Sequence, residues 1–558
     1  METTDKDSCR ILVDLLCKHK VKHAVISPGS RNAPLIISIS RCDQITSHLV
    51  IDERCAAFIA LGIASYLQEP VALICTSGSA LLNYAPAIAE AYYRKLPLIV
   101  ISADRPAEWI DQDDSQTIRQ YEALANYVKR SYNIPSECPS DNTKWYINRT
   151  INDALLLAVH ARKSPVHINI QLSEPLNRIV NINPAEERYI EMISPSCEIP
   201  ESKISQLATT IKDKRILILS GFHEPSQQLN HALTQLAEHE NIVVMIENIS
   251  NLQNNKFISS IDRTLNELTD IEKKELRPDV VITLGGALVS RHIKQYLRQI
   301  KPLEHWHIGI NDVTVDCFTS LTKRIETTPE AFFKQLSTAL PPSKSCYSHN
   351  WQTISNKAET SLATFLNQAP WCDFSAMNIL FNSLPSSWNL HLSNGTSIRY
   401  SQLFNTTRFN RIDCNRGVSG IDGCTSTAIG SSIVSNETTL LISGDMCAQY
   451  DFGALLTAQL SPKFKMIVLN NGGGGIFRFI KSTSNLPELE TYFAAKTNLP
   501  LKQIADHINA KYYDCHDEQS LKIALNNFIT DDDHPSILEI FTPGDVSAEI
   551  LKNYFKNN

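Results

Sequence analysis

Three stretches of the chain repeat one pattern, a short apolar strand, a turn and an amphipathic helix, and no other feature narrows the fold as far. In the first, "VKHAVISPGS" reads as strand and turn, "APLIISISRC" as helix, "SHLVI" as strand and "DERCAAFIALGIASYLQ" as helix. "VALICTSG" follows as strand, "ALLNYAPAIAEAYYRK" as helix and "LPLIVISADRP" as strand, and the stretch closes near "SPVHINIQLSEPL". Strands alternating with helices in this way pair parallel, with the helices covering the sheet. The second stretch restarts with "KRILILSGF", passes through "NIVVMIEN", "RPDVVITLGGALVS" and "EHWHIGIND", and ends by "ALPPSKSCYSHN". The third includes "WNLHLSNGTSIR", "RIDCNRGVSGIDGCTSTAIG", "TTLLISGDMCAQYDFGALLTAQ" and "FKMIVLNNGGGGIF". The expected architecture is α/β in three domains, each a mostly parallel sheet flanked by helices. Their expected bounds are 1–180, 181–345 and 346–558, with the polar stretch 181–202 as a linker.

Size and composition agree with that count. A chain of 558 residues holds about three or four domains. No apolar run reaches the roughly 18 residues of a membrane span. The opening "METTDKDSCRILVDLLCKHK" reads as a polar turn and an amphipathic helix, without the layout of a signal peptide. A cytoplasmic protein with no membrane insertion is the expectation. The net charge of -7 argues against a nucleic-acid partner, because neutralising phosphates takes a basic face. Fourteen cysteines are scattered without a CxxC pair, and are expected to be small buried hydrophobes in a reducing compartment. "HWH" at 305–307 alternates on a strand beside Trp306, which points to a structural role over metal binding.

The chemistry begins in "LNNGGGGIF" (469–477), where four glycines follow an apolar strand. Upstream, "LLISGDMCAQ" sets Asp445 at the end of another strand, and the interval to Asn471 is expected to hold one helix and one strand. Asp445 and Asn471 then stand on neighbouring strand tips, where open parallel sheets bind ligands. A carboxylate, an amide oxygen and a bare carbonyl suit Mg²⁺, with phosphate and water completing the octahedron. Glycines let the backbone approach that ion and the phosphate oxygens. Gly-Asp followed by Asn-Asn at this spacing resembles the diphosphate-binding signature of thiamine-diphosphate enzymes. The resemblance implies thiamine diphosphate with Mg²⁺ (or Mn²⁺), held by Asp445, Asn471 and the carbonyl of Gly473. It further implies that Glu53, in "LVIDERCAAFIALG", hydrogen-bonds the aminopyrimidine N1′ as the catalytic carboxylate.

More specific stretches are "SPGSRNAPL", "TSGSALLNYAPAIAEA", "SADRP", "DSQTIRQ" and "NRGVSGIDGCTSTAIG". Together they are similar to the 2-succinyl-5-enolpyruvyl-6-hydroxy-3-cyclohexene-1-carboxylate synthases of menaquinone biosynthesis, over essentially the whole chain. That resemblance implies decarboxylation of 2-oxoglutarate and 1,4-addition of the resulting succinic semialdehyde carbanion to isochorismate. Both substrates are dianions, and an acidic protein needs local arginines to hold them, since a guanidinium grips a carboxylate with two parallel hydrogen bonds. By resemblance Arg31, Arg105 and Gln116 face isochorismate, Arg399 and Arg416 face the keto acid, and Arg291 stands where a lysine is usual. The cofactor would further touch Ser77, Gly78, Asn83, Asn394, Gly395, Gly444, Met446, Gly474, Ile476 and Phe477, with Ile421 as the apolar wedge that bends it. Gly395 occupies a position where serine is frequent, leaving Thr396 or Ser397 to supply a hydroxyl.

The resemblance also implies at least a homodimer, or a homotetramer, with the cofactor between the first domain of one subunit and the third of another. The alternative is an acetohydroxyacid-synthase-like carboligase, whose middle domain binds flavin. Here "SGFHEPSQQ" and "LGGALVS" lack a GxGxxG fingerprint. A non-enzymatic sensor or scaffold would predict loss of Glu53 or Asp445, and both are present. No His pair or His–Asp arrangement accompanies Glu53 in the sequence, which weighs against a simple decarboxylase.

Overall fold

The apolar runs become the strands of three six-, five- and six-stranded sheets in a computed structural model that describes residues 2–182, 186–195, 197–457, 460–496 and 498–555. Two compact units carry them. The first comprises Met1–Ser194, Gly417–Thr439 and Tyr450–Phe464, and the second Pro195–Arg416, Leu440–Gln449 and Lys465–Asn558.

In the first unit a short strand β1 (Glu2–Thr4) precedes β2 (His23–Ile26), β3 (Thr46–Leu49), β4 (Val71–Cys75), β5 (Leu98–Asp104), β6 (Ser131–Ile134), β7 (Val166–Gln171) and β8 (Ile179–Asn181). The sheet runs β3-β2-β4-β5-β7-β6, and every pair in it is parallel. The strand order reverses at β2, so the crevice at the carboxyl ends of β2 and β4 is the natural ligand position. The loops of Arg31, Glu53, Ser77 and Arg105 all begin at carboxyl ends of this sheet, after β2, β3, β4 and β5. The helix Glu53–Leu67 is small-residue-rich and fully buried along most of its length. It packs on the helix Cys424–Val434, and the two backbones touch: a Cβ on Gly62 would lie 2.1 Å from the Thr427 carbonyl oxygen.

The second unit holds two sheets. One orders β9 (Ile216–Ser220), β10 (Ile242–Ile246), β11 (Val280–Leu284), β12 (Glu304–Ile308) and β13 (Lys323–Ile325) as β10-β9-β11-β12-β13, all parallel. Alternate residues of β9 enter different cores, Ile216 and Ile218 on one face and Leu217 and Leu219 on the other, as expected for a strand covered on both sides. At the switch between β9 and β11 the two loops are stapled to each other, Gly221 N donating to Leu284 O (3.1 Å) and Gly286 N to Phe222 O (2.7 Å). The other sheet orders β14 (Asn389–Leu392), β15 (Arg411–Asp413), β16 (Thr439–Gly444), β17 (Phe464–Asn470), β18 (Lys511–Cys515) and β19 (Ser536–Phe541) as β15-β14-β16-β17-β19-β18. Its order reverses at β14, and the carboxyl ends of β14, β16 and β17 lead into Asn394, Asp445 and Asn471.

Several expectations need correction. The chain opens with β1, which pairs antiparallel with β8, before the amphipathic helix Asp7–Lys18. The stretch 80–95 is two helices, Ala80–Asn83 and Ala85–Arg94, because Pro86 has no N–H to continue the first. The interval 445–471 starts with two short helices, Asp445–Tyr450 and Gly453–Thr457. Asp451 leaves the helical path between them and turns inward to accept hydrogen bonds from Ser426 N (2.7 Å) and Ser426 Oγ (2.9 Å). Of the supposed linker, 181–202, Asn181 belongs to β8 and Glu201 starts a helix; residues 183–185 and 196 lie outside the described residues. The cysteines are not uniformly buried: Cys197, Cys317 and Cys346 are exposed, and Cys17, Cys42 and Cys138 are half-buried. No helix among the described residues is long and apolar enough to cross a membrane.

Candidate active site

Glu53 is the first residue of its helix. Asp52 caps that helix by accepting from Arg54 N (2.9 Å) and Cys55 N (3.2 Å), which fixes where the following carboxylate starts. Glu53 is half-buried, and Asn83 Nδ2 donates to its Oε2 at 3.4 Å. Ser77 is buried, and Gly78 N donates to Gln120 Oε1 (2.7 Å) while its α-carbon faces the backbone of exposed Gln116. Arg31 is buried and donates to Leu172 O (2.9 Å), with Glu174 3.1 Å away at the surface. Arg105 pairs with Asp114 (2.8 Å) and donates to Ser115 O. Burial and the nearby Arg105 charge together lower the Arg31 pKa, so the two guanidinium groups sit close enough to repel. This unit also contains Ile421, half-buried in the loop that leads to the helix Cys424–Val434.

In the second unit the glycine run wraps around Asp445. The buried Asp445 carboxylate accepts from Met446 N (2.9 Å) and Gly473 N (2.7 Å), so the two strand-end loops meet as the spacing required. Gly472 and Gly473 have φ of +76° and +128°, and a Cβ on Gly473 would lie 2.3 Å from Ala494 O. Only glycine makes that turn. Gly444 ends β16 and leads into Asp445, while Gly474 lies against Met446 Cε and the Phe477 ring. Ile476 and Phe477 are half-buried on the short helix Gly475–Phe479. Asn471 is buried; its Nδ2 donates to Asp373 Oδ2 (2.7 Å), and its Oδ1 has no hydrogen-bond partner among the described residues. A buried carbonyl-type oxygen without a donor beside a buried carboxylate is a donor set that fits a hard divalent cation.

The same unit gathers three arginines. Asn394 Nδ2 donates to Asn415 O (2.6 Å), and Asn394 Oδ1 accepts from Arg416 Nη1 (2.9 Å). Gly395 has φ of +104° with open space around it, so the missing serine reflects the backbone turn and not crowding; Ser397 is buried against Ser393. Burial, and then the charges of Arg291 and Arg416, push the Arg399 pKa down to about 10. Arg399 Nε is buried with no hydrogen-bond partner among the described residues. Asp262 offsets part of this repulsion, and clustered cations at a sheet's carboxyl end form a receptor for an anion.

Residues that the motifs did not flag hold these loops. Glu90, buried on the helix Ala85–Arg94, accepts from Gly417 N (2.8 Å) and Val418 N (2.6 Å) and thereby fixes the loop that carries Ile421. A charged residue on the apolar face of "PAIAEAYY" was the available signal. Glu247 accepts from Val289 N (2.6 Å) and Ser290 N (2.7 Å) directly before Arg291, and burial pushes its pKa up to about 7. Arg478 grips the carbonyls of Asn471 (3.2 Å) and Gly472 (3.3 Å). A histidine pair missed by linear spacing forms across β2 and β3, His23 Nδ1 to His48 Nε2 at 3.1 Å, and burial pushes His48 down to about 4. The two histidines of "HWH" share the Thr283 hydroxyl, each at 3.0 Å, which gives them the structural role expected.

Comparison with known proteins bears on the same segments. Residues 8–123 match the family described as thiamine pyrophosphate enzyme, N-terminal TPP binding domain. Residues 185–392 match the middle domain of thiamine pyrophosphate enzymes, and 396–540 the C-terminal TPP binding domain. A 2-succinyl-5-enolpyruvyl-6-hydroxy-3-cyclohexene-1-carboxylate synthase of Porphyromonas gingivalis is 38% identical over 99% of this chain and 97% of its own length. Similarly named proteins of Flavobacterium psychrophilum (41%, covering 97% of each chain) and Christiangramia forsetii (38%, covering 98% of each) match to the same extent. With Glu53 at a helix start, Asp445 joined to the glycine turn and near full-length identity of this order, the chain belongs to the 2-succinyl-5-enolpyruvyl-6-hydroxy-3-cyclohexene-1-carboxylate synthase family of thiamine pyrophosphate enzymes.

Proposed function

We propose that this protein decarboxylates 2-oxoglutarate and adds the remaining succinyl carbon skeleton to isochorismate by 1,4-addition. The product is 2-succinyl-5-enolpyruvyl-6-hydroxy-3-cyclohexene-1-carboxylate, with CO₂ lost and no pyruvate released. The observation that carries this reading is the cluster of Arg399, Arg291 and Arg416, whose like charges lower the Arg399 pKa, in the unit that holds the Asp445–Gly473 turn. Thiamine diphosphate, when bound, supplies the nucleophilic carbon chemistry. Glu53 hydrogen-bonds the ring N1′ and moves a proton there, Asn83 steadies that carboxylate, and Ile421 presses on the cofactor from its apolar side. Asp445, Asn471 Oδ1 and the Gly473 carbonyl hold Mg²⁺ (or Mn²⁺), while Gly444, Met446, Gly474, Ile476, Phe477, Asn394, Gly395, Ser77 and Gly78 line the cofactor. Arg399 and Arg416, with Arg291, bind the distal carboxylate of 2-oxoglutarate. Arg31, Arg105 and Gln116 bind isochorismate, whose carboxylates displace Asp114 and Glu174 from the two arginines.

The functional domains are taken as 1–180, 181–345 and 346–558, in a cytoplasmic homodimer or homotetramer. Glu53→Gln and Asp445→Ala subunits, each inactive alone, regain activity when mixed if one site draws on two subunits. For the acetohydroxyacid-type alternative, the stapled loops at the β9–β11 switch argue against a nucleotide lodged there. Mass spectrometry after incubation with thiamine diphosphate, Mg²⁺, isochorismate and either 2-oxoglutarate or pyruvate tests the proposal. A product carrying both isochorismate and the four-carbon succinyl unit is expected. Turnover of pyruvate alone to acetolactate would replace this reading by the alternative.

A further inference from the structure

We infer that Asp373 is a positioning residue that sets which end of the Asn471 amide faces the metal. The inference rests on the proposal that Asn471 is a metal ligand. Asp373 is buried at the start of the helix Asp373–Ser383, 98 residues from its partner along the chain. Its carboxylate is held at Oδ1, which accepts from Thr542 Oγ1 (2.5 Å) just beyond β19, and its main chain is held separately, the backbone N–H donating to Ser547 Oγ (3.0 Å). Oδ2 is left for Asn471 Nδ2 at 2.7 Å.

An amide presents a donor at one end and an acceptor at the other, and its two orientations have almost the same shape. A carboxylate only accepts, so it selects the orientation with nitrogen inward and oxygen outward. The opposite orientation would press Oδ1 against Oδ2 and turn an NH₂ group toward the site, where a cation would meet donors. The backbone offers no escape, because Arg478 holds the carbonyls of both Asn471 and Gly472. The outcome is a buried Oδ1 without a hydrogen-bond partner among the described residues, left available as a metal ligand. Groups that orient metal ligands in this way typically change metal affinity by about 10- to 100-fold when removed.

The test reads metal binding directly. Free Mn²⁺ is titrated by electron paramagnetic resonance against the full-length protein with thiamine diphosphate present, without turnover. Asp373→Asn, which offers a donor as readily as an acceptor, is expected to weaken Mn²⁺ binding by about 10- to 100-fold. The exchange variant Asp373→Asn with Asn471→Asp restores a donor facing an acceptor and leaves an oxygen toward the metal. It should recover most of the lost affinity, which a purely structural role for Asp373 does not predict. It also carries the test where the single variant lacks a cooperative melt. Wild-type Mn²⁺ affinity in Asp373→Asn, or no recovery in the exchange variant, overturns the inference. Asp445→Ala separates the two levels. If it loses Mn²⁺ while Asp373→Asn does not, only the positioning role fails. If it also binds as wild type, the metal assignment itself fails.

Discussion

Replacing Arg399 by methionine should make the ligand-free protein more stable and the enzyme worse. The side chain is largely desolvated beside two other arginines, whose repulsion outweighs the pull of Asp262, and its pKa falls from 12.5 to about 10. At 1.36 kcal/mol per pH unit that drop corresponds to about 3 kcal/mol by which the fold disfavours the charged side chain. The sign follows from the direction: a base with a depressed folded pKa destabilises the fold throughout the range below about pH 10. Methionine keeps an unbranched stem of similar length and removes the charge, so lost packing of about 1 kcal/mol leaves a net gain of about 2 kcal/mol. In a chain of this size such a gain raises the melting temperature by only about 2 °C. The charged contact to the 2-oxoglutarate carboxylate is worth about 1.5 to 3 kcal/mol, so kcat/KM for 2-oxoglutarate should fall about 10- to 150-fold. Differential scanning fluorimetry with and without 2-oxoglutarate, alongside initial rates, reads both effects. A variant that melts lower than wild type and retains its kcat/KM for 2-oxoglutarate refutes the assignment of this cluster to the donor.

Other substitutions probe the remaining parts. Glu53→Gln should bind thiamine diphosphate within about tenfold of wild type by fluorescence titration, a change of about 1.4 kcal/mol, yet lose most turnover; near-normal product formation would remove Glu53 from the catalytic role. Arg105→Ala should release CO₂ from 2-oxoglutarate normally in a single turnover but raise the isochorismate KM by about 10-fold or more. A block at the first stage would mean the two pockets are interchanged. Burial raises the Glu247 pKa from 4.5 to about 7, so the native state binds the extra proton between those values and stability falls as pH rises through them. Between pH 5 and pH 8 the stability advantage of wild type over Glu247→Gln should therefore shrink by about 2 to 3 kcal/mol in denaturant titrations. An unchanged difference would show that the two backbone donors from Val289 and Ser290 outweigh burial.

The strands were legible because a parallel strand covered on both faces is a short uninterrupted apolar run, as in "ILILS" of β9. The meeting of the Asp445 loop with the glycine run was legible because one strand's return path sets the spacing between neighbouring tips. Elements carrying polar residues on a half-buried face gave no such signal. The helix Asp141–Val159 begins "DNTKWYINRT" with Trp145 and Tyr146 exposed, and its apolar stripe sharpens only toward "ALLLAV". The residues that hold the site were hidden for a different reason. Asp373 at a helix start reads as a charge complementing the helix dipole, and nothing local reveals a partner 98 residues away. Asp451 read as part of a continuous helix because its attraction to Ser426 is equally non-local. Charge compensation was invisible too: four arginines could be counted, but that Arg105 pairs with Asp114 while Arg399 is dominated by other arginines is a property of packing.

The central claim is that carbon from 2-oxoglutarate is joined to isochorismate with loss of one carboxyl group. It is tested most directly by following CO₂ release from carboxyl-labelled 2-oxoglutarate together with isochorismate consumption, in purified protein with thiamine diphosphate and Mg²⁺. One CO₂ is expected for each isochorismate consumed, with sustained release ceasing when isochorismate is withheld. Sustained CO₂ release that ignores isochorismate, or loss of isochorismate without CO₂, would contradict the account.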